Sequence, residues 1–133
     1  MSKYANSIRI IAGQWRGRRL SVIDSDGLRR TTDRVRETLF NWLMHEVPKA
    51  RCLDLFAGTG ALGLEALSRA ASEVVFTESS RTVAAKLEEN ISILSASQDV
   101  ATVVKQDALS YLKTVPSKPF DICLLYTSDA ADE

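Results

Sequence analysis

Apolar positions along the chain change rhythm twice, and each change marks a different kind of element. Over residues 8–22, Ile8, Ile10, Leu20 and Val22 alternate with polar positions, and Gly13 and Gly17 punctuate the run between them. That pattern predicts two short extended segments joined by a glycine-containing turn. Residues 23–31, with Asp24, Asp26 and Gly27, read as a loop. A helix is then predicted from Thr32 or Asp33, either of which can cap free first-turn amides. Its Val35, Leu39, Phe40 and Leu43 fall at helical spacing and are expected to face a core, leaving Arg34, Glu37 and Asn41 elsewhere on the wheel. Pro48 helps to end it.

Beyond Pro48 short apolar runs alternate with helical stripes. Strands are predicted over 51–56, 73–78 and 101–105, with a fourth opening at Phe120-Asp121-Ile122. Helices are predicted from Ala61 to about Ala70, from Arg81 to about Leu94 with Val83, Leu87, Ile91 and Leu94 on the apolar stripe, and over 108–113. Strand and helix in strict alternation predict right-handed βαβ units, hence an α/β fold with a parallel sheet and helices on both faces.

Composition narrows the class without naming a job. The 133 residues suit one domain, and 45% hydrophobic with 26% charged residues is ordinary for a globular protein. No apolar stretch approaches the roughly 18 residues of a membrane span. The start, MSKYANSIRI, has no apolar core with a small-residue cleavage site, so a cytoplasmic protein with no membrane partner is expected. Cys52 and Cys123 have neither the spacing nor the histidine partners of a zinc site, and no metal is expected.

The formal charge of zero conceals an asymmetry: residues 1–51 hold 11 Lys/Arg against 5 Asp/Glu, and the rest hold 6 against 12. A basic arm on an acidic body points to a polyanion partner for the arm. Arg9, Arg16, Arg18 and Arg19 surround Trp15 in the predicted hairpin, where guanidinium forks suit phosphates and the indole could serve as a base platform or pack in the core.

The strongest chemical signal is Asp54-Leu-Phe56-Ala-Gly58-Thr-Gly60-Ala-Leu-Gly63, between the first predicted strand and its helix. Glycines at 58 and 60 let the backbone turn tightly and approach a ligand, and Gly63 lets the helix lie close to the strand. Amides at the helix start can receive a polar or anionic group. A nicotinamide enzyme fits poorly, because a carboxylate at Asp54 would repel the pyrophosphate that such a loop wraps. Asp54 can instead pair with the cationic amino group of S-adenosylmethionine. Glu78, at the end of the second strand, can accept from ribose hydroxyls, and Asp107, after the third, from an adenine amine. All three acids fall at the carboxyl ends of consecutive strands, where such sheets bind ligands.

Three separated segments then match one family in order: Arg9 to Leu20 (RIIAGQWRGRRL), Arg30 to Leu43 (RTTDRVRETLFNWL) and Leu53 to Arg69 (LDLFAGTGALGLEALSR). They resemble the bacterial 16S rRNA (guanine(966)-N(2))-methyltransferase family. The resemblance implies a Rossmann-like class I methyltransferase fold preceded by a hairpin and helix, with S-adenosylmethionine as cofactor. It implies cofactor binding by Asp54, Phe56, Gly58, Gly60, Glu78 and Asp107. RNA binding falls to Arg9, Trp15, Arg16, Arg18 and Arg19, with Arg34 and Arg36 near the cofactor and substrate entrance. The implied partner is 16S rRNA, in the small ribosomal subunit or its assembly intermediate, met by a monomer. Methylation of DNA adenine, and cofactor or RNA binding without catalysis, are the rival readings.

The family's fourth strand leads into a D-P-P-F-type motif that holds the target amine and stacks on the flipped base. Here no Asp-Pro-Pro or Asn-Pro-Pro occurs, and Phe120-Asp121-Ile122 leads into Cys123–Glu133, which resembles a translated sequencing adapter. The chain is therefore read as an incomplete fold of three segments: a basic RNA-binding hairpin and helix over 1–50, the first half of a cofactor domain over 51–122, and a non-native tail over 123–133. No catalytic residue is assigned within it, and the chain as written is expected to be inactive.

Overall fold

The computed structural model describes residues 7–23, 32–97, 99–114 and 118–125. The predicted loop at Asp24, Asp26 and Gly27, together with residues 126–133 of the suspected tail, lies outside them. Strands β1 (Ser7–Arg9) and β2 (Arg19–Ser21) pair antiparallel, Ile8 opposite Leu20. Helix α1 (Asp33–Trp42) follows, capped by the Thr32 hydroxyl, which accepts from the Val35 amide. Then come β3 (Arg51–Leu55), α2 (Ala61–Ser68), β4 (Glu73–Thr77), α3 (Arg81–Ile93), β5 (Ala101–Val104), α4 (Ala108–Leu112) and β6 (Ile122–Leu125).

The four later strands form one parallel sheet in the order β5-β4-β3-β6. Successive strands step outward from β3 through β4 to β5, and the chain then returns to the other side of β3. That reversal is a topological switch point, and the crevice at the carboxyl end of β3 is where such sheets take ligands. Alternation along the strands divides the core between the two faces. Cys52, Val74, Phe76, Ala101 and Leu124 pack with α2 and α3 on one face, while Leu53, Leu55 and Val75 pack with Ala108 of α4 on the other.

Strand β6 runs through Leu125, with Leu53 level with Cys123 and Leu55 with Leu125. Three residues assigned on sequence to a non-native tail therefore stand inside the sheet. Ladder hydrogen bonds come from the backbone, so a Cys-Leu-Leu run of any origin can continue the strand.

The N-terminal segment is not a separate arm. Ile8, Ile10, Trp15, Leu20, Val22 and Phe40 share one buried cluster with Leu64, Leu67, Leu87 and Ile91. Helix α2 is buried at every position from Ala61 to Ser68, because the sheet covers one side and the hairpin region the other. Of the expected α1 stripe, Phe40 is buried and Leu39 and Leu43 pack against the core, whereas Val35 is 49% exposed. Arg36 is buried beside them, and its Nη2 donates to the Arg9 carbonyl at 3.0 Å and to Asp33 Oδ1 at 2.6 Å.

Gly13 shows how closely the third layer sits. Its φ is +90°, and a Cβ there would stand 1.9 Å from the Ser68 carbonyl oxygen. Gly13→Ala should therefore cost about 2 kcal/mol or more, since both strain and a backbone clash are introduced. Urea unfolding of the two chains checks this, and a loss under about 0.5 kcal/mol would show that the hairpin does not press on α2 as described.

Candidate cofactor site at the carboxyl end of β3

The turn after β3 has to reverse direction within a few residues, and its backbone shows the cost. Phe56 takes a left-handed conformation (φ 55°) although it is not glycine, followed by Gly58 (φ 56°) and Gly60 (φ 83°). A left-handed non-glycine residue costs on the order of 1–3 kcal/mol and gathers at ligand sites. The Phe56 ring is 54% exposed at the mouth of this turn. Gly63 performs the role expected of it, because a Cβ would meet the Phe76 ring at 2.3 Å and prevent α2 from lying on β4.

The first amides of a helix need acceptors, and here one carboxyl serves the first turn of α2 while a second serves the loop ahead of it. Asp54 Oδ2 accepts from the Gly63 amide at 2.9 Å, and Glu78 Oε1 accepts from the Gly58 amide at 2.8 Å. Glu78 Oε2 accepts from the Ser80 amide at 2.9 Å, while the Thr59 hydroxyl takes the Ala61 amide and the Ala57 carbonyl takes the Gly60 amide. Of the amides at the helix start, those of Ala61 and Gly63 are already bonded, and the Gly58 amide of the turn is held by Glu78. A pyrophosphate would find these donors occupied, whereas a ligand offering a cation and hydroxyl donors meets acceptors in place.

Asp54 is only 2% exposed. Desolvation, opposed by the Gly63 bond and reinforced by the Glu78 charge, pushes its carboxyl up to about 8. At neutral pH it is therefore protonated, not the standing carboxylate expected from the sequence. A cation arriving beside it would favour ionisation. Asp107 differs. Both its oxygens are held by Ser110, at 2.8 Å from the amide and 3.0 Å from the hydroxyl, and these bonds keep its carboxyl below the usual carboxylate range. It caps α4 and is exposed past the end of β5, one strand beyond Glu78.

The RNA-binding set divides. Arg16, Arg18 and Arg19 are exposed around the hairpin turn, Arg34 is exposed on α1, and Arg9 is half-buried with its Nε 3.3 Å from Asp33. Trp15 and Arg36 are corrections. Trp15 is 9% exposed within the core and Arg36 is 1% exposed, so neither presents a surface to RNA. The Trp15 side chain joins the apolar core, and its backbone amide is fastened to the Ser68 hydroxyl at 3.0 Å.

Two residues escaped sequence reasoning. Glu65, fully buried on α2, accepts from the Ile11 amide at 3.0 Å, the Ala12 amide at 3.1 Å and Arg69 Nε at 2.8 Å. Ser68 accepts from Trp15 and donates to the Ala12 carbonyl at 2.6 Å. A single acid in an otherwise uncharged helix, four residues before an arginine, was the available signal.

The family model described as Conserved hypothetical protein 95 matches residues 8–126. The ribosomal RNA small subunit methyltransferase D of Haemophilus influenzae is 52% identical over 119 residues, which take in 89% of this chain and 62% of that protein. The solved structure of Escherichia coli yhhF superposes with a TM-score of 0.73 at 54% identity, covering 80% of this chain and 56% of the other. The C-terminal domain of a Rhodobacter capsulatus precorrin-6Y methyltransferase, at 13% identity and a TM-score of 0.64, shares the fold, covering 78% of this chain and 54% of that domain. The chain thus spans less than two thirds of the length of these relatives.

Asp54 makes the site's state depend on pH. A carboxyl raised on folding contributes stability that is fully present below its unfolded pKa, near 4, and is lost as pH rises through its folded pKa, about 8. Thermal unfolding from pH 4.5 to 9 should show the unmodified chain losing stability relative to Asp54→Asn as pH increases. A difference that stays flat with pH would refute the buried, protonated assignment.

Proposed function

The chain belongs to the Conserved hypothetical protein 95 family, and from that membership and the site we propose that it carries the S-adenosylmethionine-binding and RNA-gripping part of a methyltransferase acting on a guanine amine of small-subunit ribosomal RNA. The carrying observation is the bonding of Asp54 and Glu78 to the amides of the glycine turn. It converts a dinucleotide-type loop into one suited to a cationic, hydroxyl-bearing ligand, and it disfavours a nicotinamide cofactor.

S-adenosylmethionine, when bound, supplies an electrophilic methyl group on a sulfonium. The residues present fit such a ligand. Asp54 is placed beneath the turn to meet a cationic amino group, and Glu78 keeps lone pairs for ribose hydroxyls beyond those given to Gly58 and Ser80. Phe56 offers an exposed ring for stacking. Gly58 and Gly60 leave the approach to the turn clear of side chains, and Asp107, exposed after β5, is assigned to the adenine amine. Arg9, Arg16, Arg18, Arg19 and Arg34 provide phosphate contacts for 16S rRNA in the subunit or its assembly intermediate.

No Asp-Pro-Pro or Asn-Pro-Pro occurs in the 133 residues, so we assign none of them to hold the target amine. The family reading favours rRNA over DNA adenine, since the matching relative is a ribosomal RNA methyltransferase. We take the protein to act as a cytoplasmic monomer. Among the described residues no helix is long and apolar enough to cross a membrane.

Calorimetry on the 133-residue chain should register S-adenosylmethionine and not NAD or NADP. Glu78→Ala should weaken that binding by about tenfold or more, roughly 1.4 kcal/mol. Binding of NAD in preference, or full affinity after Glu78→Ala, would overturn the cofactor assignment. Incubation with small-subunit rRNA and radiolabelled S-adenosylmethionine should yield no methylated RNA, and measurable transfer would show that other residues of this chain hold the amine.

A further inference from the structure

The hairpin's turn is fastened to the helix that leaves the glycine loop, and the fastening is made of buried polar groups on α2. Glu65 takes the Ile11 and Ala12 amides, the Ser68 hydroxyl takes the Trp15 amide, and the Ser68 carbonyl takes the Gln14 amide at 2.8 Å. Gly13 lies against that same carbonyl with no room for a Cβ. Five consecutive residues, Ile11 to Trp15, are thereby registered on α2. The helix begins beside Gly60 and ends at Ser68, and eight residues at 1.5 Å each make it about 12 Å long. Exposed Arg16 and Arg18 immediately follow the fastened stretch, and Arg19 opens β2. The arginine grip therefore stands about one helix length from the cofactor turn, at the far end of a single rigid element.

We propose that Glu65 is a positioning residue. Its buried carboxylate fixes the arginine-bearing hairpin at a set distance from the glycine loop, so that RNA gripped at the hairpin spans that distance over the surface and presents a nucleotide remote from the grip to the cofactor pocket. This rests on the RNA reading above. The chemistry suits the role better than apolar packing alone. Apolar contacts tolerate sliding, but two amide donors and a guanidinium converging on one carboxylate define a single register. Glu65→Gln keeps the shape yet replaces one acceptor oxygen with an amine facing donors, and so breaks the register with little change in volume.

The test reads position and grip separately in the 133-residue chain. Hydrogen exchange at the Ile11 and Ala12 amides should quicken roughly tenfold or more in Glu65→Gln while the glycine turn keeps its protection. Binding of a fluorescein-labelled stem-loop of small-subunit rRNA should weaken by about tenfold. Its log-log salt dependence should become shallower by about 1 to 2, the loss of one or two phosphate contacts. A merely destabilising substitution lowers the folded fraction without altering that slope. Ser68→Ala, which keeps the buried carboxylate, should move the same quantities in the same direction and serves if Glu65→Gln fails to fold. RNA binding with unchanged affinity and slope in both variants would overturn the positioning role alone. Failure of the unmodified chain to bind the stem-loop, with S-adenosylmethionine still bound, would overturn the RNA reading and this proposal together.

Discussion

Helix α2 has no side that meets water, and much of the structure follows from that constraint. A helix between two layers has to satisfy polar groups on both flanks from protein alone, because a buried charge or amide without a partner costs several kcal/mol. On the sheet side the solution is small residues and close approach, with Gly63 against Phe76. On the outer side it is Glu65, whose carboxylate is met by two hairpin amides and the Arg69 guanidinium. Arg69 in turn lies 5.1 Å from the centre of the Phe40 ring, which draws α1 into the same assembly. The glycine turn, the hairpin and the first helix are thus held by one short helix.

At the other end of that helix the same accounting governs the ligand site. Asp54 and Glu78 accept from amides of the turn and of the α2 start, and burial of Asp54, with the Glu78 charge beside it, raises the Asp54 carboxyl. A phosphate-bearing ligand would find those donors occupied.

The sheet and its crossovers were legible in the sequence because each carries a period of its own. Runs such as Val74-Val75-Phe76 are too short for a helix, and Val83, Leu87, Ile91 and Leu94 fit only a helical stripe. The acids and glycines were legible because strand–turn–helix context fixes where they fall. The third layer was not. Nothing in a periodic pattern shows that a helix will be covered twice, so the arginine-rich hairpin read as an arm and the placement of Trp15, base platform or core, stayed open. On α1 the face holding Leu39, Phe40 and Leu43 was legible, but the exchange of Val35 for Arg36 was not. A guanidinium counts as polar on the wheel, yet Arg36 is drawn inward by the Arg9 carbonyl and Asp33, displacing Val35 outward.

The docking of Ile11–Trp15 on Glu65 and Ser68 also has a temporal side. Its hydrogen bonds join residues more than fifty positions apart, and the hairpin leaves the ribosome before α2, which follows only after the first strand of the sheet. At about 5–20 residues per second, the basic hairpin spends several seconds of synthesis without its seat. The hairpin is therefore fixed only once α2 has followed it, and its arginines are exposed to surrounding polyanions before the seat that will orient them exists.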